Sequence, residues 1–234
     1  MQHPFFYEPN ITSANKIFTL SSDTFKHAIQ VLRLKENDII QITNGKGLLC
    51  KASLTSIDKK QAIVNIFETN FIERNNYPTT IAISLLKNTA RFEWFLEKAT
   101  ELGMATIIPL ICKRTEKQHF REDRMKTIVI AAMLQSQQVW LPELLLPINF
   151  KDVFTFNQYA VKLIAHCLEE DKKPLSQINT HENTIVLIGP EGDFSEDEIQ
   201  LANKNNYISI SLGNTRLRTE TAGVATAVLL ALNN

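Results

Sequence analysis

Three observations predict an α/β fold with a mostly parallel sheet, preceded by a small β-rich module. From about residue 81 onward, short and nearly continuous apolar runs alternate with helical patterns. Such runs belong to strands covered on both faces. Two of these runs end in glycine-bearing turns that lead into a helix, most plainly at "IGPEGDFSEDEI", Ile188 to Ile199. The first seventy or so residues follow a different pattern, and a polar stretch, "ERNNYPTT", separates the two. The expected organisation is therefore a β domain over 1–72, a linker over 73–80 and an α/β domain over 81–234. The length of 234 residues accommodates both cores.

In chain order, "SSDTFKHAIQVLRL" predicts a helix capped by Ser22 or Asp23. Phe25, Ala28, Ile29 and Leu32 fall on one face of it. Two strand-like runs then flank Asn44-Gly45-Lys46-Gly47, a hairpin signal, and "KKQAIVNIF" adds a strand. After the linker, "TIAISLL" reads as a strand. "ARFEWFLEKATELG" reads as a helix with Phe92, Phe95, Leu96 and Ala99 inward and Gly103 as its stop. "ATIIPLI" is a strand, and "RMKTIVIAAMLQS" is a helix burying Met125, Ile128, Val129, Ala132 and Met133. "AVKLIAHC", "TIVLIG" and "YISISLG" are further strands, and "AGVATAVLLAL" is a buried final helix.

Formal net charge is zero, so any nucleic acid has to be met by a local patch rather than a global basic field. The three cysteines (Cys50, Cys112, Cys167) are far apart, odd in number and without a C-x-x-C pair. A reducing compartment is expected. The histidines show no ligand spacing, so no metal is expected. "MQHPFFYEPN" lacks a cationic start and a long apolar run, which points to the cytoplasm and away from a membrane.

In open α/β sheets ligands sit outside the carboxyl ends of the strands. Two such ends stand out, Gly189 to Phe194 and Gly213 to Arg218. Ser195 and Glu198 predict a capping box after the first. Neither turn has the glycine spacing of a phosphate loop. Glu191, Asp193, Glu196, Asp197 and Glu198 crowd the first, which disfavours phosphate and favours a phosphate-free, cationic ligand. The plainer alternative is that carboxylates in a first helical turn only complement the helix dipole. The second turn offers an anion site with Arg218 aimed at nucleic acid and Glu220 fixing its guanidinium, or else a solvated loop with an N-cap at Thr219. "KRTEKQHFREDRMK" is net basic, but a solvated helix start would look the same. His166 reads as a core histidine, and Phe92, Trp94 and Phe95 read as helix packing.

At "IGPEGDFS", "SLGNTRLRTETAG" and "RFEWFLEKATELGMATIIPL" the chain resembles the SPOUT-superfamily methyltransferases that modify N3 of a uridine in 16S ribosomal RNA. The resemblance implies an N-terminal PUA-like, RNA-binding β-barrel and a C-terminal α/β domain with a trefoil knot. It also implies a homodimer and S-adenosylmethionine as cofactor. Carried over residue by residue, it implies cofactor contacts at Leu187, Gly189, Pro190, Glu191 and Gly192, and at Leu212 and Gly213. The same contacts continue through Leu217, Arg218, Thr219, Glu220, Thr221 and Ala222. Arg218 is the expected catalytic cation, stabilising a developing uracil anion. Arg33, Lys113, Arg114, Arg121 and Arg124 are the expected contacts to the 16S rRNA of the small ribosomal subunit. Asp193 stands where the family has a third glycine, and Thr215 and Gln138 stand where it has arginines. A methyltransferase acting on another RNA, or a non-catalytic RNA-binding protein, would share much of this pattern.

Overall fold

The computed structural model describes residues 3–74, 77–169 and 171–232. They form two compact units. One holds the described residues of Met1–Arg74 together with Met133–Leu141, and the other those of Asn75–Ala132 and Pro142–Asn234. The segment 133–141 was expected in the α/β domain, and its contacts place it with the first unit instead.

The first unit contains β1 (Phe5–Tyr7), β2 (Ile17–Thr19), α1 (Ser22–Phe25), β3 (Ile39–Thr43), β4 (Leu48–Ile57) and β5 (Ala62–Phe71). The strands form one sheet in the order β1-β3-β4-β5-β2. Alternation on β4 and β5 sends Cys50, Ala52, Leu54, Ala62, Val64 and Ile66 into a common core with Phe6, Ile40 and Ile42. The predicted hairpin turn is present: Asn44 Oδ1 accepts from the amides of Lys46 (2.8 Å) and Leu48 (3.3 Å). Gly47 has φ +90, and a Cβ there would lie 2.6 Å from the Trp140 ring, so the segment 133–141 packs directly on this turn. Trp140 Nε1 donates to Ile72 O at 2.9 Å, and Gly47 N donates to Val139 O at 3.0 Å.

The early helix differs from expectation in two ways. Its cap is Ser21, whose side chain accepts from Thr24 N, not Ser22 or Asp23. After one α-helical turn, Lys26–Val31 continues as a π-helix. The wider turn rotates the apolar face away, so Phe25 and Ala28 are buried while Leu32 is exposed.

The second unit contains β6 (Thr79–Ser84), α2 (Thr89–Glu101), β7 (Thr106–Ile111), α3 (Glu122–Gln135) except for its last three residues, which belong to the first unit, β8 (Glu143–Leu144), β9 (Ile148–Asn149) and β10 (Val161–Ala165). It continues with β11 (Lys173–Pro174), β12 (Thr184–Ile188), α4 (Glu196–Lys204), β13 (Ile208–Ser211) and α5 (Thr219–Leu232). Thr79 and Thr80, expected in the linker, already belong to β6. Asn75 and Asn76 lie outside the described residues. The sheet order is β11-β13-β10-β12-β6-β7-β8, with β9 also on β7, and every pairing is parallel. This order places β10 between β12 and β13. The two glycine-bearing turns, more than twenty residues apart in sequence, therefore open on one rim of the sheet.

Helix α2 starts where Asn88 Oδ1 accepts from Ala90 N at 3.0 Å, and the chain leaves it through Gly103 at φ +75. Its predicted inward face is buried, but Trp94, expected in helix packing, is 43% exposed. Helix α5 lies against α2 through Gly223, where a Cβ would come within 2.6 Å of the Phe95 ring. Gly223→Val should therefore lower stability by about 1–3 kcal/mol through overpacking. Thermal unfolding of the purified variant measures this, and an unchanged midpoint would contradict the close approach.

Candidate functional site

The turn after β12 is shaped by Asp193. Its φ of +64 is a conformation that glycine reaches freely and that aspartate tolerates better than most residues. The carboxylate holds the turn: Oδ1 accepts from Phe194 N at 2.8 Å, and Oδ2 accepts from Cys167 N, at the end of β10, at 2.8 Å. At Gly189 a Cβ would stand 3.0 Å from Phe194 N, so the turn closes only over a bare backbone. Gly192 is different, because its nearest neighbour to an added Cβ is Arg114 Cδ at 3.4 Å, which is ordinary contact. Ser195 and Glu198 make the predicted capping box.

The acidic crowd is answered from a distant part of the chain. Lys113 N donates to Glu198 Oε1 at 2.7 Å, and Lys113 Nζ lies 3.0 Å from Asp197 Oδ2. Arg114 Nη1 donates to the carbonyls of Gly192 (2.7 Å) and Phe194 (3.3 Å). Lys113 and Arg114, expected at an RNA face, are thus engaged in fixing this loop. Arg124, also expected there, makes a two-pronged pair with Glu93. That hydrogen bonding holds the Glu93 carboxyl below its ordinary range. Arg33 (φ +57) and Arg121 are exposed.

The carboxyl ends of β10, β12 and β13 enclose a cavity of about 650 Å³. Of the residues expected to contact the cofactor, Gly189, Pro190, Glu191, Leu212, Gly213, Leu217, Arg218, Thr219 and Ala222 line it. Leu187, Gly192, Glu220 and Thr221 do not. Leu187 is wholly buried in the sheet, Gly192 rests on Arg114, and Glu220 is turned away. Its Oε1 lies 3.6 Å from Arg91 Nε on α2, so Glu220 does not fix the Arg218 guanidinium. Among the lining residues not expected from the sequence are His166, Cys167 and Lys172, which follow β10. His166 is buried, with Nε2 2.9 Å from Ser209 Oγ. Gly213 has φ +134, and a Cβ built there would meet nothing within 4 Å, so open space lies beside that backbone.

A second cleft, of about 640 Å³, adjoins the first and shares Arg216, Leu217 and Arg218 with it. Its other walls are Ala90, Arg91, Trp94, Glu220 and Thr221. The side chains of Arg216 and Arg218 form no hydrogen bond or ion pair among the described residues, and both are exposed. An anion or a polarised carbonyl reaching the seam between the clefts would meet both guanidinium groups. Cys112 is not placed as a nucleophile. Burial, with Glu198 nearby, pushes the Cys112 thiol up to about 12, so it stays protonated and inert. No group of residues that could hold a metal ion occurs among the described residues.

Two tests follow from this geometry. In Arg114→Ala the amides of the loop should exchange hydrogen about tenfold faster, since two hydrogen bonds to its carbonyls are lost. Mass-resolved exchange of the peptide covering 189–195 reads this, and unchanged protection would remove Arg114 from its role. Thiol titration of the folded protein should find Cys167 alone reactive, with Cys50 and Cys112 appearing only on unfolding.

Comparison with known proteins agrees with the geometry. The RNA methyltransferase domain model matches residues 73–231, and the RNA methyltransferase PUA domain model matches residues 20–67. The Ribosomal RNA small subunit methyltransferase E of Mesomycoplasma hyopneumoniae is 32% identical over 88% of this chain and 90% of its own length. The crystal structure of a probable rRNA-methyltransferase from Porphyromonas gingivalis superposes with a TM-score of 0.91 at 31% identity, covering 98% of both chains. A Ribosomal RNA small subunit methyltransferase E from Neisseria gonorrhoeae, crystallised with S-adenosyl methionine, gives 0.89 at 28% identity over 99% of this chain and 98% of that one.

Proposed function

The chain belongs to the ribosomal RNA small subunit methyltransferase E family of RNA methyltransferases, and from that premise we propose that it uses S-adenosylmethionine to methylate N3 of a specific uridine in 16S rRNA. The observation that carries the reading is the cavity formed by the two glycine-bearing turns and the end of β10. Its volume suits a small-molecule cofactor. Its lining carries charge of both signs, which suits a ligand with a cationic sulfur and an anionic carboxylate. Glu191 lies on one wall, Lys172, Arg216 and Arg218 supply positive charge elsewhere, and no phosphate loop is present. Gly213 leaves backbone uncovered for close approach.

When bound, the cofactor supplies an electrophilic methyl group, so the protein's work is to position and to stabilise charge. Residues 189–191 and 212–217 hold the adenosyl portion through backbone groups. Arg218 stands at the seam of the two clefts, where a permanent cation stabilises the uracil anion as N3 loses its proton. The adjoining cleft receives the target nucleotide, with Trp94 and Arg91 on its wall. An unstacked base can rest on such a ring. The same reading includes a trefoil-knotted homodimer working in the cytoplasm, on the small ribosomal subunit or its RNA.

Tritiated cofactor incubated with unmethylated small subunits should label a single uridine of 16S rRNA. Label on transfer RNA alone, or none at all, would defeat the assignment. Arg218→Ala should slow transfer by about a hundredfold or more while cofactor affinity changes little. An equal loss in both would show that Arg218 holds the cofactor instead.

A further inference from the structure

We propose that Lys172 receives the α-carboxylate of the bound methyl donor. The proposal rests on S-adenosylmethionine being the ligand of the cavity and goes beyond it by assigning a residue outside the two glycine-bearing turns. Lys172 lies just before β11 and lines the cavity. Its ammonium donates to two backbone carbonyls of the segment after β10, His166 O at 2.6 Å and Leu168 O at 2.7 Å. An ammonium has three donors, so one N–H remains. Lys172 forms no ion pair among the described residues, although Glu169 and Asp171 are close in sequence. A cation held by neutral carbonyls, on the wall of a cavity and without a carboxylate partner, is a seat for an anion from outside.

The donor has one anionic group, its carboxylate. Three cations line the cavity: Lys172, Arg216 and Arg218. The two arginines have no hydrogen-bonded anchor and face the adjoining cleft as well. Lys172 alone is held in place before the ligand arrives, so less side-chain freedom is lost on binding. Nor do the cavity's carboxylates compete for it. Both oxygens of Asp193 are committed to backbone amides, and Glu191 Oε1 accepts from Lys87 N at 3.2 Å. The segment after β10 then does two things. It forms one wall, and through Lys172 it reads whether the ligand carries an amino-acid tail.

The test compares two ligands by calorimetry. S-Adenosylhomocysteine keeps the carboxylate, and 5′-methylthioadenosine lacks the whole amino-acid tail. Lys172→Met should weaken S-adenosylhomocysteine by about tenfold or more and leave methylthioadenosine within about twofold. Lys172→Arg should restore part of the loss. Equal weakening of both ligands would overturn the proposal, since Lys172 would then only brace the segment. An unchanged affinity for S-adenosylhomocysteine would overturn it as well. If the wild-type protein bound neither ligand, the cofactor assignment itself would fall, a result distinct from the other two.

Discussion

Two backbone amides, from Phe194 and from Cys167, donate to the single carboxylate of Asp193, and the cavity depends on that clamp. One amide belongs to the turn itself and the other to the segment just after β10. The left-handed backbone at Asp193 costs about 1–2 kcal/mol relative to an extended or helical residue. Two charge-assisted hydrogen bonds outweigh that, at about 1.5–3 kcal/mol each before solvent exposure is allowed for. A glycine at this position would relieve the strain and lose the clamp. The aspartate therefore exchanges backbone freedom for a fixed distance between the ends of β10 and β12.

The electrostatics of the loop follow from the same economy of position. Five carboxylates within eight residues would repel one another and any phosphate. Lys113 and Arg114 reach them from the segment after β7, binding two carboxylates and two carbonyls. Two of the five carboxylates are thereby partnered, Asp197 by an ammonium and Glu198 by a backbone amide. The cavity keeps its positive charge on the turn after β13 and at Lys172. That division of charge suits a ligand with a cationic centre and an anionic end.

Much of the fold was legible because its signals are local. The alternation of apolar runs and helices, the Asn-Gly hairpin, the Ser195–Glu198 capping box and the inward face of α2 each lie within one element. The two turns were legible as a candidate site because ligands of open α/β sheets sit outside the carboxyl ends of the strands. What stayed hidden depends on residues far apart in sequence. Nothing in the spacing shows that β10 falls between β12 and β13, so His166, Cys167 and Lys172 were missed. The bonds that Lys113 and Arg114 make to the loop were hidden because their partners lie some eighty residues away. Glu220 was read beside Arg218 because the two are near in sequence, whereas its side chain turns toward Arg91 on α2. The π-helical turn after Phe25 breaks the period of 3.6 residues per turn, so the exposure of Leu32 has no signal in the apolar spacing.

Two glycines of the second unit are required for opposite reasons, and the difference bears on how the family can vary. Gly223 is held by volume, with a phenyl ring occupying the place of its missing side chain. Gly213 is held by torsion, with empty space around it and a φ of +134. Crowding is shared between two residues, so a smaller neighbour in place of Phe95 makes room for a larger residue at 223. Torsional cost at a φ of +134 is not relieved by making room, since the space beside Gly213 is already empty. Covariation among relatives can therefore trace the packing of α5 on α2, whereas no smaller neighbour eases position 213.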